Sequence, residues 1–189
     1  MDIKAYIQDS IDAKNAILNN EKILSTIQKI ADKIVEAYKN DKKVLTAGNG
    51  GSAGDAQHIA GELVSRFFFD RPGLSAFALT TDTSILTAIG NDYGYEKSFS
   101  RQVQANAKEG DVFIAISTSG NSKNIINALE EAKNKGVTTV GFVGKKECKM
   151  DGLCDYIIHV PSSKTPTIQE SHIMIGHIIC ALVEEAIFG

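Results

Sequence analysis

Lys43-Val44-Leu45-Thr46-Ala47-Gly48-Asn49-Gly50-Gly51-Ser52 decides how the rest of the chain is read. The first five residues have the apolar run of a buried strand, the glycines let the backbone turn tightly and approach a ligand, and Ser52 is placed to cap a following helix. Free N–H groups at such a helix start attract anions. Along that helix come Asp55, His58 and Glu62. The four-residue spacing of His58 and Glu62 sets them on one face, roughly 5–6 Å apart, which suits a shared metal ion or a shared proton-transfer site.

A second loop answers the first. Asp111-Val112-Phe113-Ile114-Ala115-Ile116 reads as a strand that runs into Ser117-Thr118-Ser119-Gly120-Asn121-Ser122, with an amphipathic helix from about Ser122 to Lys135. In an open parallel sheet both loops lie beyond the carboxyl ends of their strands, where ligands bind. Hydroxyls and backbone N–H groups there hold a phosphate without any lysine. Candidate strands fall at 43–47, 76–80, 111–116, 138–143 and 155–160, with helical segments between them. That alternation predicts an α/β fold of three layers, a five-stranded, mainly parallel sheet with helices on both faces.

Residues from about Asp2 to Asn40 form two helical stretches, with apolar positions such as Ile7, Ile11, Ile23, Ile27, Ile30 and Ile34 at helical spacing. They carry no catalytic-looking group and pack on the domain or on a partner subunit. The last element, from about Thr167 to Phe188, is a long helix with Gln169, Glu170, His172 and His177 in its first half. Glu170 and His177, seven apart, share a face best, while Gln169 is about 80° from His177 around an ideal helix. Spacing therefore does not choose between Gln169 and Glu170 as a site partner.

At 189 residues, 43% hydrophobic and 23% charged, the chain has the size and composition of one soluble globular domain. The formal charge of −3 and the lack of a basic cluster exclude nucleic-acid binding driven by phosphate neutralisation. Residues 1–20 lack a continuous apolar core, so no signal peptide and no membrane span are expected, and the chain is assigned to the cytoplasm. Cys148, Cys154 and Cys180 form no close pair and are read as reduced thiols without a chemical role. Phe67-Phe68-Phe69 is read as packing.

With these segments in place, the chain resembles the sugar isomerase (SIS) domain proteins and, within them, the phosphoheptose isomerases, over nearly its whole length. The likeness rests on Gly48-Asn49-Gly50-Gly51-Ser52, Asp55-Ala56-Gln57-His58, Glu62-Leu63, Asn91-Asp92, the run from Ser117 to Ser122, and Ile168-Gln169-Glu170 with His172 and His177. It implies one SIS domain over residues 1–189 and interconversion of sedoheptulose 7-phosphate with D-glycero-D-manno-heptose 7-phosphate, for bacterial lipopolysaccharide or capsule. Phosphosugar contacts are implied for Asn49, Gly50, Gly51, Asn91, Asp92, Ser117, Thr118, Ser119 and Ser122, with Ser52 nearby and Gln169 and Glu62 also at the substrate. Glu62 and His177 are the implied acid–base pair, and His58, Glu62, Gln169 and His177 the implied zinc ligands. A homotetramer with active sites between subunits is implied as well.

The chain departs from the family at Thr167, where relatives commonly have arginine before the Ile-Gln-Glu triplet, leaving Lys164 or Arg66 as candidate replacements. Three rival readings stand, one of them a sugar-phosphate sensor, which would expect an attached DNA-binding segment, whereas residues 1–40 show no basic recognition helix. Relatives on the same fold act as assembly proteins that bind the bacterial replication initiator, but they lack the paired acid and histidine kept here as Glu62 and His177. A dinucleotide-binding oxidoreductase would use Gly48, Gly50 and Gly54 with Asp82, and it leaves His58, Glu62 and the serine loop without a role.

Overall fold

The structure, a computed structural model, describes residues 2–189. Five parallel strands, β1 (Val44–Gly48), β2 (Ala76–Ala78), β3 (Val112–Ile116), β4 (Thr138–Val143) and β5 (Tyr156–His159), form one sheet in the order β2-β1-β3-β4-β5. The expected strands are all present, the second cut to three residues at the sheet edge. Both faces of the sheet are covered, so strand residues alternate between two cores. Val112, Ile114 and Ile116 face one and Phe113 and Ala115 the other.

On the first face lie α2 (Glu21–Lys39), α3 (Gly51–Val64) and α7 (Thr165–Phe188). On the second lie α5 (Ser100–Asn106) and α6 (Lys123–Asn134). The predicted N-terminal pair is α1 (Ile3–Leu18) and α2. Every third or fourth residue of α2 is buried, including Ile23, Ile27, Ile30 and Ile34, while α1 buries only Ala13 and Ile17. An eleven-residue helix, α4 (Thr83–Tyr93), starts at Asp82, whose carboxylate accepts the N–H of Ile85. That cap is the role of the aspartate a dinucleotide fold would have aimed at a ribose.

α7 is long and apolar enough to cross a membrane by length and composition alone. Here it lies against α2 and α3 and buries Ile168, Ile175, Ile179 and Val183 in the core. Pro166 sits in its first turn, where a missing N–H costs nothing, so the helix begins two residues earlier than the sequence pattern suggests.

Candidate active site

The strand order reverses between β1 and β3, and both strands end level, with Gly48 opposite Ile116. The two predicted loops therefore stand side by side at the crevice where open α/β sheets take ligands. Asn49 and Asn124 exchange two amide hydrogen bonds of 2.9 Å, tying the first loop to the first turn of α6. The Tyr95 hydroxyl donates to Asn49 Oδ1 at 2.8 Å. Neither Asn124 nor Tyr95 stood out in the sequence, because a lone asparagine and a surface tyrosine have no local signature. Gly50 has φ +57 and is the helix N-cap without a side-chain bond, so the expected Ser52 cap is not formed. Ser52 instead lies buried in the first turn of α3.

In the second loop Ser117 Oγ and Ser122 Oγ lie 3.1 Å apart, and Ser119 Oγ accepts the N–H of Asn121 at 3.2 Å. The segment after β4 braces it from behind. Gly144 N–H donates to Thr118 O, and Lys149 N–H to Asn121 Oδ1. Thr118, Ser119 and Asn121 line a cleft of about 340 Å³ together with Lys145, Lys146, Glu147 and Ser162. Those two lysines are the cations at this cleft. Lys164 pairs with Asp9 of α1, and Arg66 follows the end of α3. Thr167 itself is buried in the first turn of α7.

The second constellation forms between α3 and α7. His58 Nε2 is 2.9 Å from His177 Nε2 and 3.1 Å from Glu62 Oε1, and the three ligand-type atoms fall within 4.8 Å of one another. Two imidazole nitrogens and one carboxylate oxygen converging this closely make a donor set suited to a divalent metal. The His58 side chain is half exposed and Glu62 a quarter, so the group opens to solvent. Gln169 stands eight residues before His177, about 12 Å of helix rise, and its amide lies against Gly51, where a Cβ would overlap it. Glu170, which by spacing shares a face with His177, accepts from Ser10 and Lys14 of α1. His172 is a core residue, fully buried, 3.2 Å from Val143 O, with burial pushing its pKa down to about 4.

Among the described residues two buried side-chain polar atoms lack a hydrogen-bond partner, His172 Nδ1 and Asp55 Oδ2. Asp55 sits one turn before His58, and desolvation raises its pKa to about 6 against the opposing pull of His58. Asn91 and Asp92 are exposed near the end of α4 and bonded to each other at 2.9 Å. Asp92 lines a groove with Tyr93 and Arg101 that contains no residue of either loop.

Sequence reading also missed a buried ion pair beside His177. Glu184 accepts the N–H groups of Phe67, Phe68 and Phe69 and the Arg71 Nε, the last at 2.8 Å, with both side chains almost wholly buried. Desolvation alone would raise its pKa, but these donors hold it down to about 2. The Phe67 ring lies 5.7 Å from the His177 ring and 4.5 Å from the Phe68 ring, while Phe68 and Phe69 are largely exposed, so the three phenylalanines pack only in part.

The family model for the SIS domain matches residues 5–144. The chain is 68% identical over 186 residues to a phosphoheptose isomerase of Aneurinibacillus thermoaerophilus, covering 98% of this chain and 94% of that one. It is 62% identical to phosphoheptose isomerase 2 of Campylobacter jejuni, over 99% of this chain and 93% of the other. The solved structure of a phosphoheptose isomerase from Francisella tularensis superposes with a TM-score of 0.93 at 35% identity, covering 97% and 96% of the two chains. With the five-stranded parallel sheet and the two ligand loops already in place, these likenesses show that the chain belongs to the phosphoheptose isomerase family of SIS domain proteins.

Proposed function

We propose that the chain is a cytoplasmic aldose–ketose isomerase, a single SIS domain that interconverts sedoheptulose 7-phosphate and D-glycero-D-manno-heptose 7-phosphate in bacterial heptose biosynthesis. The observation that carries this reading is the convergence of His58 and Glu62, on the helix that begins at the anion loop, with His177 of α7. An assembly protein has no use for that group.

Isomerisation takes a proton from the carbon beside the carbonyl, passes through an enediol, and returns a proton to the neighbouring carbon. Glu62 of α3 and His177 of α7, both close to His58 Nε2, are assigned the acid and base roles. The phosphate is assigned to the loop from Ser117 to Ser122, against the start of α6, so that binding energy remote from the reacting carbons positions them. His58, Glu62 and His177 would hold a zinc ion, which when bound supplies a Lewis acid for the sugar oxygens. Gln169, whose amide lies at the start of α3 beside Gly51, is assigned as the fourth ligand of that set. A homotetramer with sites between subunits belongs to this reading. The exposed apolar stripe of Ile3, Tyr6, Ile7 and Ile11 on α1 supports it.

The test is to incubate the purified protein with sedoheptulose 7-phosphate and zinc and follow the aldose by NMR. Formation of the heptose phosphate supports the assignment. No product would move the reading to a binding role on the same fold.

A further inference from the structure

We propose that Arg71 and Glu184 are positioning residues for this isomerisation: Arg71 fixes the end of α3 that carries Glu62, and Glu184 fixes the loop that lays Phe67 against His177. The inference rests on Glu62 and His177 being the acid–base pair.

α3 ends without a left-handed glycine. Its cap residue, Ser65, has φ −82 and ψ −103, so the last carbonyls need donors from elsewhere. The Arg71 guanidinium supplies most of them, with Nη2 3.0 Å from Glu62 O and Nη1 2.8 Å from Leu63 O and 3.2 Å from Ser65 O, while the Leu74 N–H also donates to Leu63 O. Its remaining Nε–H goes to Glu184. This use of the whole planar fork is beyond a lysine, which presents one compact ammonium. A buried ion pair is seldom more stabilising than apolar residues of the same volume, so stability is a poor reason for charge at this place.

Geometry is a better one. Glu184 follows His177 by seven residues, two turns on, so both point from the same face of α7. Its carboxylate gathers three successive amide N–H groups, from Phe67, Phe68 and Phe69, and that bend sets the Phe67 ring on the His177 imidazole. Burial of side chains does not set the loop's course, since Phe68 is 71% exposed and Phe69 42%. One ion pair thus spans both members of the acid–base couple and touches each through a neighbour, one a backbone carbonyl and the other an aromatic ring.

The experiment compares wild type, Arg71→Lys and Phe67→Leu for turnover of sedoheptulose 7-phosphate, the folded fraction by circular dichroism, and the His177 ring-proton resonances by NMR. Arg71→Lys keeps the charge and loses the fork. The expected result is a fall in kcat between about tenfold and a hundredfold, as for small displacements of reacting groups. KM stays within about twofold, because phosphate binding is untouched. The His177 resonances shift, and Phe67→Leu shifts them too with a smaller loss of kcat. A folded Arg71→Lys with wild-type kcat, or a kcat that falls only with the folded fraction, overturns the inference. Should Arg71→Lys not fold, Phe67→Leu decides, and unchanged kcat with unchanged resonances overturns it. If the wild type itself forms no product, the proposed activity fails, and the His177 resonances alone then test whether the pair positions that ring.

Discussion

The two ends of α3 meet α7 in opposite ways. At its start the contact is between neutral groups, Gly51 against the Gln169 amide, beside a loop whose donors are backbone N–H groups and hydroxyls. Two to three turns later the contact is made of titratable groups, His58 and Glu62 against His177, backed by the buried Arg71–Glu184 pair. A dianionic phosphate needs little more than oriented dipoles, which cost nothing to keep charged. Moving a proton requires groups that can change charge, and these must be held by partners that do not. The first end is therefore built from local chain geometry and the second from contacts across the fold.

The sharpest way to break this contrast is at the titratable end. Glu62→Gln removes the proton carrier and keeps the shape, and turnover should fall by about 10²–10⁴ with the circular dichroism spectrum unchanged. Undiminished product formation would remove Glu62 from the chemistry. At the neutral end, Gly51→Ala pushes a Cβ into the Gln169 amide, which is the free end of a flexible side chain and can swing aside. Stability should drop by less than about 1 kcal/mol, read as a small change in melting temperature, while KM rises by about tenfold. An unchanged KM would mean that Gln169 contributes nothing to the site from this position.

A smaller effect is expected in the second loop. Ser119→Ala deletes one hydroxyl, worth about 1 kcal/mol, and should raise KM about fivefold with kcat retained. Loss of kcat alone would place Ser119 in the chemistry instead. The smallest effect belongs to Asp55, which lies between the two ends. Its folded pKa of about 6 is raised above the ordinary 3.8, so the folded state holds its proton more tightly and this residue lowers stability as pH rises through that window. Asp55→Asn should then raise the melting temperature at pH 7 and leave it unchanged near pH 3. A gain that persists at pH 3 would point to packing rather than charge.

The same contrast sets what the sequence could reveal. The glycine turn, the serine loop and the His58–Glu62 spacing are local patterns, and each appears where the periodicity predicts it. Strand alternation predicted a parallel sheet, though not the order that brings β1 and β3 together. Spacing within α7 did not choose between Glu170 and Gln169, and only the docking of α1, with Ser10 and Lys14, shows where Glu170 is engaged. Ser52 has the right residue type for a cap, but the helix is capped two residues earlier, at Gly50. Arg71 and Glu184 are 113 residues apart and have no motif, so their meeting depends on the whole chain being folded.

The course of α7 also bears on which changes of length the chain can tolerate. Glu170, Gln169, His177 and Glu184 face, in turn, α1, the start of α3, the middle of α3 and the loop after it. Each residue added to a helix turns everything beyond it by 100° and advances it about 1.5 Å. A single insertion between Gln169 and His177 would therefore swing the histidine and the glutamate away together while leaving the N-terminal contacts in place. Surface loops absorb such events, but α7 works as a rigid shaft with its fittings at fixed angles, and its length is set to the residue.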